Sequence, residues 1–220
     1  MKTFNELQEG VYDPNIFKAF FLAGGPGSGK SFVVRKTTGG TGLKVVNSDN
    51  AFEKLLKDAN LSLKMPESEA DAREPVRDRA KAITKKQQAN YLEGRLGLII
   101  DGTGKDYDKI SNQSNELRQL GYDTHLIFVN TSLDVALERN AKRSRSVPES
   151  VVIKSWKAVQ ANIGKFNNHF KQNLIIVDNN EADEDIIKQV YKRIQGLLKK
   201  KVKNTRAKSW IEMELARKKR

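Results

Sequence analysis

The chain has 220 residues, of which 38% are hydrophobic and 30% charged, and its net charge is +13. It contains no cysteine, which excludes disulfides and thiolate metal sites, and its two histidines, His125 and His169, lie too far apart to indicate a metal cluster. No apolar run approaches the roughly 20 residues of a membrane-spanning helix, and the first residues lack the pattern of a secretory signal. We therefore expect a cytoplasmic protein with no membrane partner, long enough for one α/β domain and an extension.

Short apolar runs alternate with helical segments along the chain. The predicted strands are 18–23, 43–47, 97–101, 124–129 and 173–177. The predicted helices are 31–36, separate pieces within 51–92 divided by Pro66 and Pro75, 108–120 capped by Gly121, a helix around Leu133, Ala136 and Leu137, a long helix after Pro148, 183–200 and 205–220. Five apolar strands separated by helices predict an α/β fold of three layers, with a parallel sheet covered on both faces.

Positive charge is concentrated at the C-terminal end. Residues 199–220 contain ten Lys or Arg and two Glu, a net charge of +8. We predict a domain over residues 1–200 and a basic helical extension over 201–220, with Trp210 and Ile211 docking an apolar edge of the extension onto the body. Such an extension can hold nucleic acid by releasing phosphate counterions, or it can be a solvated helix.

A glycine-rich segment, Gly24-Gly25-Pro26-Gly27-Ser28-Gly29-Lys30-Ser31, follows the first strand and opens a helix. It matches the G-x-x-x-x-G-K-[ST] pattern, in which backbone N–H groups cradle phosphates at a helix N-terminus. Lys30 is expected to reach the β- and γ-phosphates of ATP, and the Ser31 hydroxyl to ligate Mg²⁺. The residues predicted to bind ATP here are Gly25, Pro26, Gly27, Ser28, Gly29, Lys30, Ser31 and Phe32.

Two acidic residues follow neighbouring strands. Asp49 lies just after the second strand, where a carboxylate can accept the proton of a hydroxyl acceptor, although it could instead cap a helix. Asp101 ends the third strand and could hold Mg²⁺ or orient the acceptor, and Thr103 could bind a phosphate or the substrate. The alternative for Asp101 is a simple turn with Gly102.

A basic segment precedes Pro148 and resembles in placement the lid of small kinases. Arg139 and Arg143 are four residues apart and share one helix face. Arginine forks there can grip phosphates and neutralise charge that develops during transfer, and Arg145 could assist. The alternative is an exposed basic helix. Trp156 and Phe166, on the helix that follows, are expected to be packing residues.

Together these blocks resemble the zeta-toxin and polynucleotide-kinase group of P-loop kinases, from about residue 20 to 156 and most weakly over 52–95. The loop looks like the nucleotide loop of the group, and Asn47-Ser48-Asp49 is similar to the block with its general base. Asp101-Gly102-Thr103-Gly104 looks more like the zeta-toxin motif, whereas Arg139 to Arg143, followed by Val147-Pro148-Glu149, looks more like the phage polynucleotide kinase lid. The resemblance implies the P-loop kinase fold with strand order 2-3-1-4-5.

One position departs from the pattern, because Phe52 stands where phage polynucleotide kinases carry an acceptor-binding arginine. We predict a kinase that transfers the γ-phosphoryl group of ATP to a hydroxyl, with Lys30, Asp49, Arg139 and Arg143 as catalytic residues. A polynucleotide 5′-hydroxyl is the first acceptor, and the zeta-toxin resemblance implies a nucleotide sugar as the alternative, with a nucleoside or another metabolite also open. A nucleotide-dependent switch that transfers nothing is the other class of function.

Overall fold

The computed structural model describes residues 10–143, 146–181 and 183–218. A sheet of five strands forms its centre: Lys18–Ala23 (β1), Lys44–Val46 (β2), Leu98–Ile100 (β3), Asp123–Asn130 (β4) and Leu174–Asp178 (β5). The strand order is β2-β3-β1-β4-β5, and every neighbouring pair is parallel. The predicted parallel sheet and the strand order that the resemblance implies are both confirmed.

Helices cover both faces of the sheet. The α-helices are Lys30–Thr38 (α1), Ser48–Asp58 (α2), Ala70–Glu93 (α3), Tyr107–Leu120 (α4), Leu133–Ala141 (α5), Glu149–Ala161 (α6), Ile163–Phe170 (α7), Glu184–Leu198 (α8) and Thr205–Lys218 (α9). One apolar cluster joins α1 and α8 to the sheet through residues such as Val33 and Ile194. A second cluster, on the other face, joins α4, α7 and α9 through Leu117, Phe166 and Ala207. Phe166 is therefore a core residue, as predicted.

Two predicted helix boundaries were wrong. Pro75 does not divide the segment after β2, because α3 continues through it from Ala70 to Glu93. Pro75 lies in the second turn of α3, where it removes the hydrogen bond to the carbonyl oxygen of Asp71. Only about one turn of helix precedes it, so the disturbance is confined to the start of α3. The helix after Pro148 was predicted to carry both Trp156 and Phe166, but it ends at Ala161 and Phe166 lies on α7. Between the two helices, the Asn162 side chain donates to the carbonyl oxygens of Gly104 and Lys105 at 3.1 and 3.0 Å.

The helices α2 and α3 form a hairpin beside β2 with an apolar cluster of its own. Its buried members are Phe52, Leu56 and Ala80, which belong to neither of the two clusters that cover the sheet. The Arg77 guanidinium lies over the Phe52 ring, 4.8 Å from its centroid. The hairpin therefore has an apolar cluster of its own, while the C-terminal end of α3 packs against the second cluster of the sheet through Tyr91 and Leu92.

The C-terminal helix α9 packs against the body. Trp210 meets the Phe17 ring edge-to-face at 5.6 Å between centroids, and Arg95 lies 5.8 Å from the Trp210 ring. Trp210 and Ile211 both pack against the second cluster, which is the docking that the sequence predicts. Among the described residues, no helix has the length and apolar character needed to span a membrane.

Candidate active site

The glycine-rich loop joins β1 to α1 at the carboxyl edge of the sheet, and its shape depends on glycine. Gly27 and Gly29 have φ values of +80° and +85°, a region that favours glycine. A Cβ atom on Gly27 would lie 2.0 Å from the carbonyl oxygen of Ala136, and one on Gly29 would lie 2.2 Å from Nδ2 of Asn179. The loop is thus confined between α5 and the segment after β5.

Lys30 begins α1 and its side chain turns back over the loop. Its Nζ donates to the carbonyl oxygen of Gly24 at 2.6 Å, and Gly25 O lies at 3.5 Å. Removal from water lowers the pKa of Lys30, an effect that the nearby Asp101 carboxylate opposes. Phosphate oxygens could replace the loop carbonyls as partners of this ammonium group.

Two cavities flank Lys30. The outer cavity, of about 240 Å³, is lined by Gly25, Gly27, Gly29, Lys30, Ser31, Phe32, Arg139 and Arg143. The inner cavity, of about 250 Å³, is lined by Pro26, Lys30, Ser31, Asn47, Ser48, Asp49, Asp101, Gly102, Thr103, Asn140, Arg143 and Val147. The three residues common to both are Lys30, Ser31 and Arg143. The structure therefore brings the predicted loop, acid and lid residues to one place, with these three at the junction.

The Asn47 side chain connects the two acidic residues of the inner cavity. The sequence alone did not predict a role for it. Its Nδ2 donates to Oδ2 of Asp101 at 2.7 Å, and its Oδ1 accepts from the backbone N–H of Asp49 at 2.7 Å. Asn47 is thus the N-cap of α2, which corrects the alternative in which Asp49 itself is the cap. Its position at the end of β2, beside two acids, is the signal that could have identified it.

The two carboxylate oxygens of Asp101 differ in their surroundings, and Oδ2 is the one that accepts from Asn47. Burial raises its pKa, Lys30 lowers it, and the neighbouring Asp49 raises it further. Its Oδ1 is buried and has no hydrogen-bond partner among the residues that the structure describes. Such an oxygen, in a cavity that Ser31 also lines, fits Mg²⁺, which prefers one or two protein oxygens with phosphates and water completing its shell. No group of three or more His, Cys, Asp or Glu residues that could hold a metal ion occurs in the part of the chain that the structure describes.

Arg139 lies on α5, at the start of the predicted lid, and binds the segment after β5. Its Nη1 donates to the carbonyl oxygen of Asn179 at 2.6 Å, and its Nη2 donates to that of Asn180 at 3.0 Å. Asn179 in turn donates from Nδ2 to the carbonyl oxygen of Ser28 at 2.8 Å. Arg139 thus supports the loop through Asn179 as well as lining the outer cavity. Sequence reasoning missed Asn179, although it follows β5 at the edge where the other site residues lie.

The remaining lid contacts are made by Asn140 and Trp156. Asn140 exchanges two hydrogen bonds with the backbone of Val147, at 2.8 and 3.2 Å, which closes the lid segment on itself. Trp156 donates from Nε1 to the carbonyl oxygen of Thr131 at 2.8 Å, and its backbone lies against Gly25. Trp156 is therefore a packing residue beneath the loop. Arg145 lies outside the described residues.

A groove continues from the inner cavity along the segment between β3 and α4. A third cavity, of about 160 Å³, shares Asp101, Gly102 and Thr103 with the inner cavity, and it shares Lys105 and Asp106 with a larger groove, which we term the side groove. The side groove, of about 590 Å³, is lined by Lys105, Asp106, Tyr107, Asp108, Ser150, Val151, Lys154, Ser155, Ala158, Asn162 and Lys165. The Oγ atom of Ser155 is buried, and no described residue forms a hydrogen bond with it.

Comparison with known proteins identifies the family. The zeta toxin family profile matches residues 8–192, which is most of the chain. The chain belongs to the zeta toxin family. No curated protein sequence matches it. Membership in the zeta toxin family confirms the resemblance seen in the sequence.

Solved structures similar to this zeta toxin family chain share its fold at low sequence identity. A gluconokinase from Sinorhizobium meliloti 1021 is 15% identical with a TM-score of 0.51, and the match covers 84% of this chain and 95% of that one. AvrRxo1-ORF1:AvrRxo1-ORF2 with ATP has a TM-score of 0.56 at 16% identity, with coverages of 79% and 63%. A chain of the Pnkp1/Rnl/Hen1 RNA repair complex has a TM-score of 0.54 at 20% identity, with coverages of 69% and 47%. The fold is thus the P-loop kinase fold.

Proposed function

We propose that this zeta toxin family chain is an ATP- and Mg²⁺-dependent kinase that transfers the γ-phosphoryl group to a hydroxyl acceptor. The observation that carries the proposal is the meeting of the outer and inner cavities at Lys30, Ser31 and Arg143. Phosphoryl transfer needs the attacking and leaving oxygens on opposite sides of the phosphorus. Donor phosphates in the outer cavity and an acceptor in the inner cavity satisfy that requirement.

The donor side binds ATP through the glycine-rich loop. The backbone N–H groups of the loop and the N-terminus of α1 bind the phosphates, and Lys30 exchanges the carbonyl of Gly24 for phosphate oxygens. Ser31 Oγ and Asp101 would hold Mg²⁺, which neutralises phosphate charge when it is bound. The similar structure that contains ATP supports this choice of nucleotide.

On the acceptor side, Asp49 takes the proton of the attacking hydroxyl. The hydroxyl oxygen forms a bond to the γ-phosphorus while the bond from that phosphorus to the β,γ-bridging oxygen breaks, and ADP leaves. Asp101 lies near Asp49 and is held in place by Asn47. Arg143 stabilises the transferred group from the junction of the two cavities, and Arg139 lines the outer cavity and supports the loop through Asn179.

We propose a polynucleotide 5′-hydroxyl as the first acceptor. The lid resembles that of phage polynucleotide kinases, and the side groove offers lysines and the Tyr107 ring beyond the inner cavity. Lys165 lies over that ring at 5.7 Å from its centroid. Three lysines and two aspartates line this groove beside the ring, so its charged lining is only weakly positive. Lysines and an aromatic ring suit the phosphates and bases that follow a 5′ end. The similarity to a chain of an RNA repair complex is compatible with this acceptor.

A nucleotide sugar is the second candidate, and Phe52 favours it. This side chain is buried in the hairpin cluster at the position where phage polynucleotide kinases carry an arginine. A compact acceptor with a pyrophosphate and one base would also fill the inner cavity and part of the side groove. The zeta toxin match adds to the support for this alternative.

Transfer from γ-labelled ATP tests the proposal. The acceptors are a 5′-hydroxyl RNA, a 5′-hydroxyl DNA, a nucleotide sugar, and the same oligonucleotides already phosphorylated at the 5′ end as matched controls. Label on the hydroxyl oligonucleotides alone supports the first acceptor, and label on the nucleotide sugar supports the second. If ATP binds but no acceptor is labelled, a nucleotide-dependent switch becomes the better account.

A further inference from the structure

The segment that joins α8 to α9 carries positive charge without any compensating acid. Between Asp185 and Glu212 the chain contains no Asp or Glu. Eight exposed cations lie on this stretch: Lys192 and Arg193 on α8, Lys199, Lys200, Lys201 and Lys203 on the joining segment, and Arg206 and Lys208 on α9. We term these eight side chains the basic band. A uniform sign over so many exposed residues creates a strong local positive potential.

None of these side chains is neutralised by an ion pair with another described residue. The salt bridges found in the described part of the chain involve other lysines and arginines, such as Lys188 with Asp185 and Arg217 with Glu214. Arg193 and Arg206 donate only to backbone carbonyl oxygens. Their charges therefore remain available to an external anion.

The basic band lies at the edge of the sheet opposite the candidate active site. Arg193 donates to the carbonyl oxygen of Leu174 at 2.8 Å, where β5 begins. Arg206 donates to the carbonyl oxygen of Gln119 at 2.8 Å, near the end of α4. Lys200 lies close enough to His125, near the start of β4, to lower the pKa of that imidazole. The cavities that contain Lys30 and Asp49 lie at the carboxyl ends of the strands instead.

Packing fixes the band on the surface. Asn204 caps α9 by accepting the backbone N–H of Arg206 at 2.9 Å. Ala207 is fully buried, and a Cβ on Gly121 would lie 2.9 Å from the Cβ of Ala207. Trp210 is anchored on Phe17. A docked extension presents its charges in a constant arrangement, whereas a free tail would lose conformational entropy on binding.

We infer that the basic band binds the phosphate backbone of a nucleic acid, at a site separate from the candidate active site. Closely spaced lysines match the regular charges of a phosphodiester chain, and their neutralisation releases counterions. Tyr191 lies next to the band with 43% of its surface exposed, so its ring is available to stack on a base. Base-specific contacts are not needed for this interaction.

A nucleic acid fits the band better than an anionic membrane does. A membrane-binding helix needs an apolar face directed at the lipid. On α9, Ala207, Trp210 and Ile211 pack against the body, and Met213 is the exposed large apolar side chain of this helix in the described part of the chain. Val202, on the joining segment, also packs against the body. The band therefore offers charge beside two separate exposed side chains, Tyr191 and Met213, rather than a continuous apolar face directed at lipid.

The test compares two lysine pairs in the full-length chain. Lys200→Gln/Lys201→Gln changes the basic band, and Lys85→Gln/Lys86→Gln removes the same charge from exposed positions on α3. Binding of a labelled 20-nucleotide RNA is followed by fluorescence anisotropy at several salt concentrations, without ATP. The band pair should weaken binding by about tenfold at 0.15 M salt and reduce the salt slope by about 1.4, which is about 0.7 per phosphate contact.

Three outcomes would overturn the inference: equal effects of the two lysine pairs, an unchanged salt slope, or binding to anionic phosphatidylserine vesicles with no binding to RNA. The inference does not depend on kinase activity. We therefore repeat the comparison in a Lys30→Ala background, where the same difference between the two pairs should appear. Failure of transfer in the acceptor screen would leave this result unaffected.

Discussion

The two sides of the candidate site are built differently. On the nucleotide side, the glycine-rich loop is confined by Ala136, Asn179 and Trp156, which belong to separate elements of the core. On the acceptor side, Asp49 begins a hairpin whose buried cluster is centred on Phe52 and is separate from the clusters of the sheet. The first side depends on the whole domain, and the second depends mainly on local contacts.

This difference distinguishes the part of the site that every acceptor would use from the part that can change with the acceptor. A phosphate loop works only if its backbone N–H groups are held in place, because preorganised dipoles bind charge without reorganisation. The hairpin can change its surface at little cost to the sheet, since few sheet contacts depend on it. We therefore expect changes in the hairpin to alter the acceptor, and changes around the loop to impair transfer to every acceptor.

The largest expected effect comes from Lys30. Lys30→Ala should reduce transfer by about a thousandfold or more for every acceptor, because the charge on the transferred group loses its main protein partner. Lys36→Ala, at an exposed position on α1, is the matched control and should transfer at the normal rate. Initial rates with γ-labelled ATP provide the measurement. Full activity of Lys30→Ala would contradict the assignment of the loop.

Phe52→Ala should test the independence of the hairpin. Removing a buried aromatic ring is expected to cost about 3–5 kcal/mol, and here that cost should be local to α2 and α3. Hydrogen exchange should accelerate in the hairpin while ATP affinity stays within about twofold, less than 0.5 kcal/mol. Val33→Ala, beneath the loop, is the contrasting variant, because it lies in the cluster that joins α1 to the sheet. If Phe52→Ala abolishes ATP binding, the two sides are not independent.

The free energy of unfolding of the core sheet should depend on pH through His125, in β4. Burial lowers its pKa to about 4, with further lowering by Lys18, Lys200 and Arg193 and an opposing effect of Asp123. Above the unfolded-state pKa of about 6.5, His125 is neutral in both the folded and the unfolded state, so its protonation does not lower the free energy of unfolding. As the pH falls from 6.5 to 4, only the unfolded state gains the proton, so stability falls by about 3 kcal/mol.

Chemical denaturation at several pH values measures this loss, with His125→Leu as the comparison. The variant removes a buried ring whose two nitrogens have no hydrogen-bond partner. Its stability should therefore depend less on pH between 4 and 6.5 than that of the natural chain. Identical pH profiles for the two proteins would exclude His125 as the cause.

A smaller effect is expected from Asn179, which supports the loop without lining either cavity. Asn179→Ala removes the hydrogen bond to the carbonyl of Ser28 and should weaken ATP binding by about tenfold, near 1.4 kcal/mol. The KM for ATP should rise more than kcat falls. Asn180→Ala is the neighbouring control, since its side chain contacts Ser132 and Asp178 rather than the loop. Equal effects of the two variants would contradict the specific support that we assign to Asn179.

Much of the core was predictable because its signals are local. The β1 run and the glycine-rich loop identify the nucleotide side directly, and Gly121 caps α4 with a φ of +105° as predicted. Asp49, Asp101 and Thr103 could be placed near one another because the carboxyl ends of parallel strands share an edge. These inferences required only spacing and strand direction.

The rest depends on contacts between distant segments. The hydrogen bond from Asn179 to Ser28 joins residues 151 positions apart, and no local sequence pattern near either residue predicts it. The hairpin cluster of Phe52, Leu56 and Ala80 forms across a turn that sequence periodicity did not resolve. Pro75 was misjudged because its effect depends on how far it lies from the start of α3. Acceptor specificity belongs to this second group of features.

The most direct test of the central claim measures ATP binding and phosphoryl transfer side by side in Asp49→Asn. Asp58→Asn, at an exposed position on the same helix, is the matched control. If Asp49 is the general base, the first variant should bind ATP normally and lose transfer by about a hundredfold or more, while the control keeps both. Equal transfer by both variants, or joint loss of binding and transfer in Asp49→Asn, would contradict a kinase whose acceptor side is distinct from its nucleotide side.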